Sequence, residues 1–220
     1  LEGRLTVRAG NLGRLRLSHC TLVPSAGGLA VESGAGPGQQ NERLVVSLDR
    51  TISGPVAVTG TGRALQLFES IVDGAGALAI EAPAVAVQRS TVLGESRMGE
   101  LDASNSIFAG TVRVERRQSG CVRFSYLSPG SLAPRRYRCQ PATEAAALRV
   151  RPQFTSVHYG QPGYCQLAPT CPHEISRGAE GEGEMGVYTF VQQEARLGLL
   201  RTALQEYLRV GLEAGIFFVT

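Results

Sequence analysis

The stretch LQLFESIVDGAGALAIEAPAVAVQRSTVLGESRMGELDASNSIFAG, Leu65 to Gly110, decides the fold, because one pattern returns in it three times. Its copies are LQLFESIVDG, VAVQRSTVLG and LDASNSIFAG: an alternating apolar pair, a polar doublet, a large apolar residue and a glycine. With Val72, Val92 and Phe108 as anchors, the register extends back to Leu22 and Ile52 and on to Leu127, at intervals of 30, 20, 20, 16 and 19 residues. Five places before the anchors stand Leu17, Ser47, Leu67, Val87, Ala103 and Val122, and seven before stand Leu15, Val45, Leu65, Val85, Leu101 and Gly120. Two places after them come Gly54, Gly74, Gly94 and Gly110, with Pro24 and Pro129 in the outer copies. A second alternating pair follows the corner: Leu29 and Val31, Val56 and Val58, Leu78 and Ile80, Val112 and Val114.

Period-two alternation of aliphatic residues marks short strands with one buried face. Such strands cannot stand alone. Repeated near every 20 residues, they bury their faces by coiling so that equivalent residues stack about 4.8 Å apart. The expectation is a mainly β protein, a parallel β-helix of about six coils over residues 1–128. An antiparallel sandwich would give turns every 8–12 residues with no need to keep residues in column, and here the column is kept.

After Leu127 the repeat ends on this reading, and residues 129–220 form a C-terminal capping or assembly domain, an irregular wrap over the last coil. A helix is expected over about 189–214, from Leu197, Leu200, Leu204, Tyr207, Leu208 and Leu212, with Gly215 as its stop and IFFVT as a short final strand. The long first interval holds SGAGPGQQNE, Ser33 to Glu42, a polar loop leaving one corner that serves as a spacer or as a ligand arm.

Composition narrows the chemistry. With 27 Gly and 11 Pro in 220 residues and no Trp, a large helical protein is excluded, while 43% hydrophobic content excludes wholesale disorder. No apolar run is long enough to span a bilayer. All 22 basic residues are Arg, so a Walker loop, a pyridoxal Schiff base and a Ser-x-x-Lys site are excluded. Asp occurs only at Asp49, Asp73 and Asp102, too few for an aspartate cage around calcium or magnesium. The net charge of +3 is mild and implies neither nucleic acid nor a membrane surface. Nine Arg lie between Arg113 and Arg151, and four Glu between Glu174 and Glu184, two patches able to satisfy each other. No cofactor is implied.

One column is polar throughout: His19, Asp49, Glu69, Arg89 and Asn105, each three places before its anchor. Stacked, they form a ladder along one edge, a binding surface or an active site with Asp49, Glu69 and Arg89 as its catalytic candidates. The plainer reading is a solvated ladder that keeps register. A glycosidase pair of Asp49 and Glu69 would need carboxyls about 5–9 Å apart over one cleft. The second constellation is HYGQPGYCQLAPTCPH, which gives His158, Cys165, Cys171 and His173 as weak zinc candidates, since C-x5-C and C-x-H are not knuckle spacings. The competing assignment is thiols that are paired, with Cys165–Cys171 and Cys121–Cys139 as candidates, or merely buried. GAEGEGEMG, Gly178 to Gly186, looks like a phosphate loop, but its three Glu would repel phosphate, so a mobile acidic loop or a weak cation site is expected.

The C-terminal wording, GCVRFSYLSPGSLAPRRYRCQP through HYGQPGYCQLAPTCPHEISRGAEGEGEMG to EYLRVGLEAGIFFVT, resembles a group of largely uncharacterised bacterial right-handed β-helix proteins found with phage-tail-like contractile injection systems. The resemblance covers about the last 110 residues and carries no catalytic motif. It implies a right-handed solenoid, an extracellular or phage-tail-like setting, and partners that are other protein subunits, including copies of itself. The expected function is therefore non-enzymatic, structural or surface-recognising. The alternatives are a polysaccharide hydrolase or lyase, or a carbohydrate-binding module, working along the edge ladder.

Overall fold

The structure is a computed structural model that describes residues 1–36, 38–191, 193–213 and 215, and the side chains of all of these but 193–197. The chain is mainly β. Its first strands are β1 (Leu5–Val7), β2 (Arg14–Ser18), β3 (Leu29–Val31), β4 (Val45–Asp49), β5 (Ile52–Ser53), β6 (Val56–Ala57) and β7 (Ala64–Phe68). There follow β8 (Ile71–Gln88), β9 (Thr91–Ser104), β10 (Ile107–Phe108), β11 (Val112–Val114), β12 (Cys121–Arg123), β13 (Tyr126–Leu127) and β14 (Arg135–Tyr137). Among the described residues these make one 14-stranded sheet in which every pairing of named strands is parallel.

The pairing keeps equivalent residues in column. Leu15, Val46, Leu65, Val85 and Leu101 are successive partners, as are Leu17, Leu48, Leu67, Val87, Ala103 and Val122. Their side chains, with Leu22, Val72, Val92, Phe108 and Leu127, form one core. Glycines stand where neighbouring turns of chain come closest. A Cβ on Gly28, which holds φ +66°, would overlap the carbonyl of Pro55, and one on Gly110 the carbonyl of Gly94.

The register corrects the second copy by one residue. Thr21 faces Ile52, and Ser53 faces Val72, so Ser53 and not Ile52 occupies the anchor column beside Leu22. Ser53 is fully buried there. Inward positions on β4 belong to Val46 and Leu48, not to Val45 and Ser47. The cause is a hydroxyl ladder inside the corner. The amide of Thr51 donates to Ser70 Oγ (3.0 Å), that of Ser70 to Ser90 Oγ (3.1 Å), of Ser90 to Ser106 Oγ (3.2 Å) and of Ser106 to Ser125 Oγ (3.1 Å). Each of these serine hydroxyls donates in turn to the carbonyl two residues back, so buried backbone groups are satisfied in series. Matching Thr51 to that ladder outweighs placing Ile52 in the core. Ile52 packs outward instead, against Ile71, Leu93, Tyr164 and Val187.

The register also runs past Leu127. Arg135, Arg136 and Tyr137 of β14 pair with Cys121, Val122 and Arg123, and Gln140 bridges Tyr126. The sequence hides this strand because Arg136 stands in the column filled by Val122, and all three β14 residues are exposed. Charged residues on a terminal strand discourage further pairing.

The C-terminal segment lies along the outer flank of the sheet. Val150, Phe154, Tyr164, Cys165, Leu167, Cys171, Ile175, Met185 and Val187 cover the outward stripe Ile52, Ile71, Leu93, Ile107 and Tyr126. Asn105 Oδ1 accepts from the Glu180 amide (2.7 Å), its carbonyl accepts from Gly186 N, and Thr91 Oγ1 accepts from Val187 N (3.0 Å). The Gly178–Gly186 stretch is thus docked, with Met185 buried, and is not the free loop expected. Helix α1 is the short His173–Ser176, and α2 is Gln193–Tyr207, inside the wider span expected. Of the expected stripe, Leu200, Tyr207 and Leu212 are exposed. The Leu197 side chain and the strand expected over 216–220 lie outside what is described. No described helix is long and apolar enough to cross a membrane.

The Ser33–Glu42 insertion is tied down. Arg63 is 2% exposed, and its guanidinium donates to the carbonyls of Gln40 and Thr59 and to Ser33 Oγ. Asn41, also buried, accepts from Leu12 N and donates to the Arg8 carbonyl.

Candidate functional site

The outward face of β2, β4, β7, β8, β9 and β12 forms an open groove of about 960 Å³. Alternation places every second residue of these strands outside. One column reads Arg16, Ser47, Gln66, Ala86 and Asp102, continuing to Cys121, and the next reads Ser18, Asp49, Phe68, Gln88, Ser104 and Arg123. Arg14 lies at one end and Arg123 at the other, five strand steps apart, about 24 Å across the strands at the usual spacing, and four residues apart along them.

Both groove carboxylates are engaged. Asp49 Oδ2 accepts from Arg16 Nη2 at 2.6 Å and from Ser18 Oγ at 3.5 Å, and Asp102 Oδ1 accepts from the Cys121 amide at 3.0 Å. They sit three strands apart, about 14 Å, too far for the two carboxyls of a glycosidase, which need roughly 5–9.5 Å. Ser47 Oγ donates to Gln66 Oε1 (3.0 Å).

The edge ladder differs from the one expected by the same one-residue slip. The corner column is His19, Arg50, Glu69, Arg89 and Asn105, continued by Phe124 and Arg138, and all seven hold φ between +45° and +52°. Asp49 is not in it. The Glu69 side chain is 3% exposed and clamped by Arg50 Nε at 2.7 Å and Arg89 Nε at 3.0 Å, one cation for each oxygen. That clamp raises the Arg50 pKa through the hydrogen bond and charge of Glu69. Arg89 also lies over the Phe68 ring, 4.6 Å from its centre. His19 is exposed at the far end, and Asn105 is spent on docking the C-terminal segment. The structure therefore brings Glu69 and Arg89 together, adds Arg50, and moves Asp49 round the corner into the groove.

The Cys and His constellation disperses. Cys165 packs with Ile71 and Leu93, and Cys171 in a separate cluster with Ile175 and Met185, while His158 and His173 are exposed. Among the described residues no three His, Cys, Asp or Glu side chains converge on a metal position. All five cysteines are free, so neither candidate disulfide is formed, and Cys165 and Cys171 are the buried thiols of the other alternative. Burial pushes the Cys165 thiol up to about 12 and raises Cys171 and Cys139 as well. Thiols in that state are poor nucleophiles. Of the two charged C-terminal patches, Arg149 and Glu174 do meet, at 2.5 Å.

Gln66, Phe68, Gln88, Asp102 and Arg123 do not stand out in the sequence because their columns mix charged, polar and apolar residues, and Arg14 lies beyond those columns. Their signal was present: they are the outward members of the same alternation that named the core. Compared with family models, curated proteins and solved structures, the chain finds no match in any of the three.

Proposed function

We propose that the chain is a right-handed parallel β-helix acting without catalysis, as a stiff structural and surface-recognition element. In-register parallel columns, with no α-helix between the strands among the described residues, support a solenoid, and parallel connections of L-residues are right-handed in nearly all cases. The observation that carries the absence of turnover is Glu69. A buried carboxylate with an Arg on each oxygen presents neither oxygen to a substrate. Asp49, tied to Arg16, is three strands from the next groove acid. The rival hydrolase or lyase reading would have these residues free and converging. A phage-tail-like particle as the setting rests on the resemblance of the C-terminal wording alone.

The test is incubation of the whole chain with neutral and acidic glycans, scoring new reducing ends and unsaturated products. No product is expected, before or after Glu69→Gln. Product formation by the native chain that Glu69→Gln or Asp49→Asn abolishes would overturn the proposal.

A further inference from the structure

Resting on that recognition reading, we infer that the terminal strand β14 takes an added strand from an acidic polypeptide, whose carboxylates lie over Arg136 and Arg138. The partner is a polypeptide because the surface is an open sheet edge. β14 pairs with β12 and, among the described residues, with no strand beyond it. At each earlier corner the amide donates to a carbonyl of the next turn: Arg50 to Phe68, Glu69 to Gln88, Arg89 to Ser104, Asn105 to Arg123 and Phe124 to Tyr137. Arg138 closes that series with no further turn to meet among the described residues. Another extended backbone is what continues such a ladder.

The partner is acidic because of what the edge carries. Arg135, Arg136 and Arg138 lie on it and Arg123 one strand in, all exposed and, among the described residues, none in an ion pair. This end of the groove holds one acid against them, Asp102, two strands in and bonded to the Cys121 amide. Arg136 gives one donor to the Ser131 carbonyl at 2.7 Å, and Arg138 lies 5.8 Å from the Phe124 ring centre and 5.7 Å from that of Tyr137, so both are held at the edge. The corner column shows how such an arginine takes a carboxylate. Glu69 receives Nε of Arg50 from the turn before it and Nε of Arg89 from the turn after. A glutamate one turn beyond Arg138 stands to it as Glu69 stands to Arg50. A second copy of this chain does not fit: in register, its first strand would set Arg16 over Arg135 and Leu17 over Arg136, and an antiparallel β14 would oppose arginine to arginine. The charge that turns away a like strand thus selects an acidic one.

The probe is a blocked peptide of about eight residues, alternating Thr and Glu, the length of an ordinary strand, titrated calorimetrically into the full chain. Parallel arms are the same peptide with Gln for Glu, the same peptide with every amide N-methylated, and single-stranded DNA. Saturable binding of the unmodified acidic peptide alone is expected, weakening with salt. Arg136→Ala and Arg138→Ala should each weaken it about tenfold, the loss of one charge-assisted contact, while Arg97→Ala, beside Glu95 on another strand, should change nothing. Thermal melts report the folding of each variant, and the arms with the native chain decide the matter even where a variant melts early. No binding of the acidic peptide, equal binding of its Gln form, its N-methylated form or DNA, or insensitivity to both arginines would overturn the inference while leaving the non-catalytic reading standing. That reading falls instead to glycan turnover.

Discussion

Removing one hydroxyl from the flank tests how the C-terminal segment is held. Tyr164 donates its phenol to Asp73 Oδ2 at 2.8 Å, across 91 residues of chain, and Asp73 is 9% exposed. The other Asp73 oxygen accepts from the Ala75 amide at 2.8 Å, so Tyr164→Phe leaves the carboxylate half satisfied. The ring remains, along with its edge-on contact with Tyr159 at 5.8 Å. Losing a buried hydrogen bond to a charged group costs about 1.5–3 kcal/mol. At roughly 2–4 °C per kcal/mol for a chain of this size, Tm should fall by about 3–12 °C. The alkaline limb supplies an independent reading. Burial raises the Tyr164 pKa, and Asp73 and Cys165 raise it further, so the unfolded phenol ionises near pH 10 while the folded one does not. The folded state then holds one more proton, and stability falls as pH rises above about 10, by at most about 1.4 kcal/mol per pH unit. Below that pH the contribution is fully present. Cys165 adds the same sign of effect from about 8.5, up to its folded value of about 12. Thermal melts from pH 7 to 11 should therefore show a lower Tm and a shallower alkaline decline in Tyr164→Phe. An unchanged Tm together with an unchanged decline would refute the reasoning.

Four further outcomes follow from the same geometry. Ser90→Ala orphans the Ser70 amide in the hydroxyl ladder, so chemical denaturation should show a loss of about 1–3 kcal/mol, whereas Ser47→Ala on the outer face should stay within about 0.5 kcal/mol. Gly110→Ala forces a Cβ onto the Gly94 carbonyl, and its soluble yield and melting point should fall sharply against Gly13→Ala, which meets open space. Arg63→Met removes the donors that gather Gln40, Thr59 and Ser33, so limited proteolysis should move to the Ser33–Glu42 insertion. Thiol titration of the denatured chain without reductant should count five free groups, and a count of three or one would show a disulfide where the structure has none.

The alternating columns were readable because burial imposes period two on every strand, and Leu15, Leu65, Val85 and Leu101 carry it without ambiguity. The second copy was misread because its largest apolar residue is not its core residue. In DRTISG the amide of Thr51 donates to Ser70 Oγ and its hydroxyl to the Asp49 carbonyl, and a polar constraint of that kind leaves no hydropathy signal. The seventh turn of chain through β14 was missed for a related reason. Nothing needs to cover it, so Arg136 stands where an interior strand requires Val. The flank packing was invisible because it pairs Tyr164 with Asp73 and Val187 with Thr91, contacts whose separation in sequence has no period. Of the site, the clamp of Glu69 by Arg89 was legible from the column. Its second arm, Arg50, needed the corrected register, and the groove needed the polar half of an alternation to be read as a surface.

The polar corner column has a geometric cause that bears on function. Each turn of chain bends at a residue in the left-handed conformation, from His19 at +52° to Arg138 at +48°. Such a conformation costs a non-glycine residue roughly 1–2 kcal/mol, and Asn, Asp and His tolerate it better than branched or apolar residues do. It also turns the side chain away from the core, so the position selects for solubility before any chemistry is asked of it. Stacking then places like corners one strand apart, where a column of one charge would repel itself. Arg50, Glu69 and Arg89 alternate in sign and bind through both carboxylate oxygens. A ladder of this kind holds register between successive turns and resists a slip by one repeat, which would set Arg against Arg. Alternation of sign along the bend thus helps to hold the register of the parallel sheet, and the outward residues of the groove beside it face no such constraint.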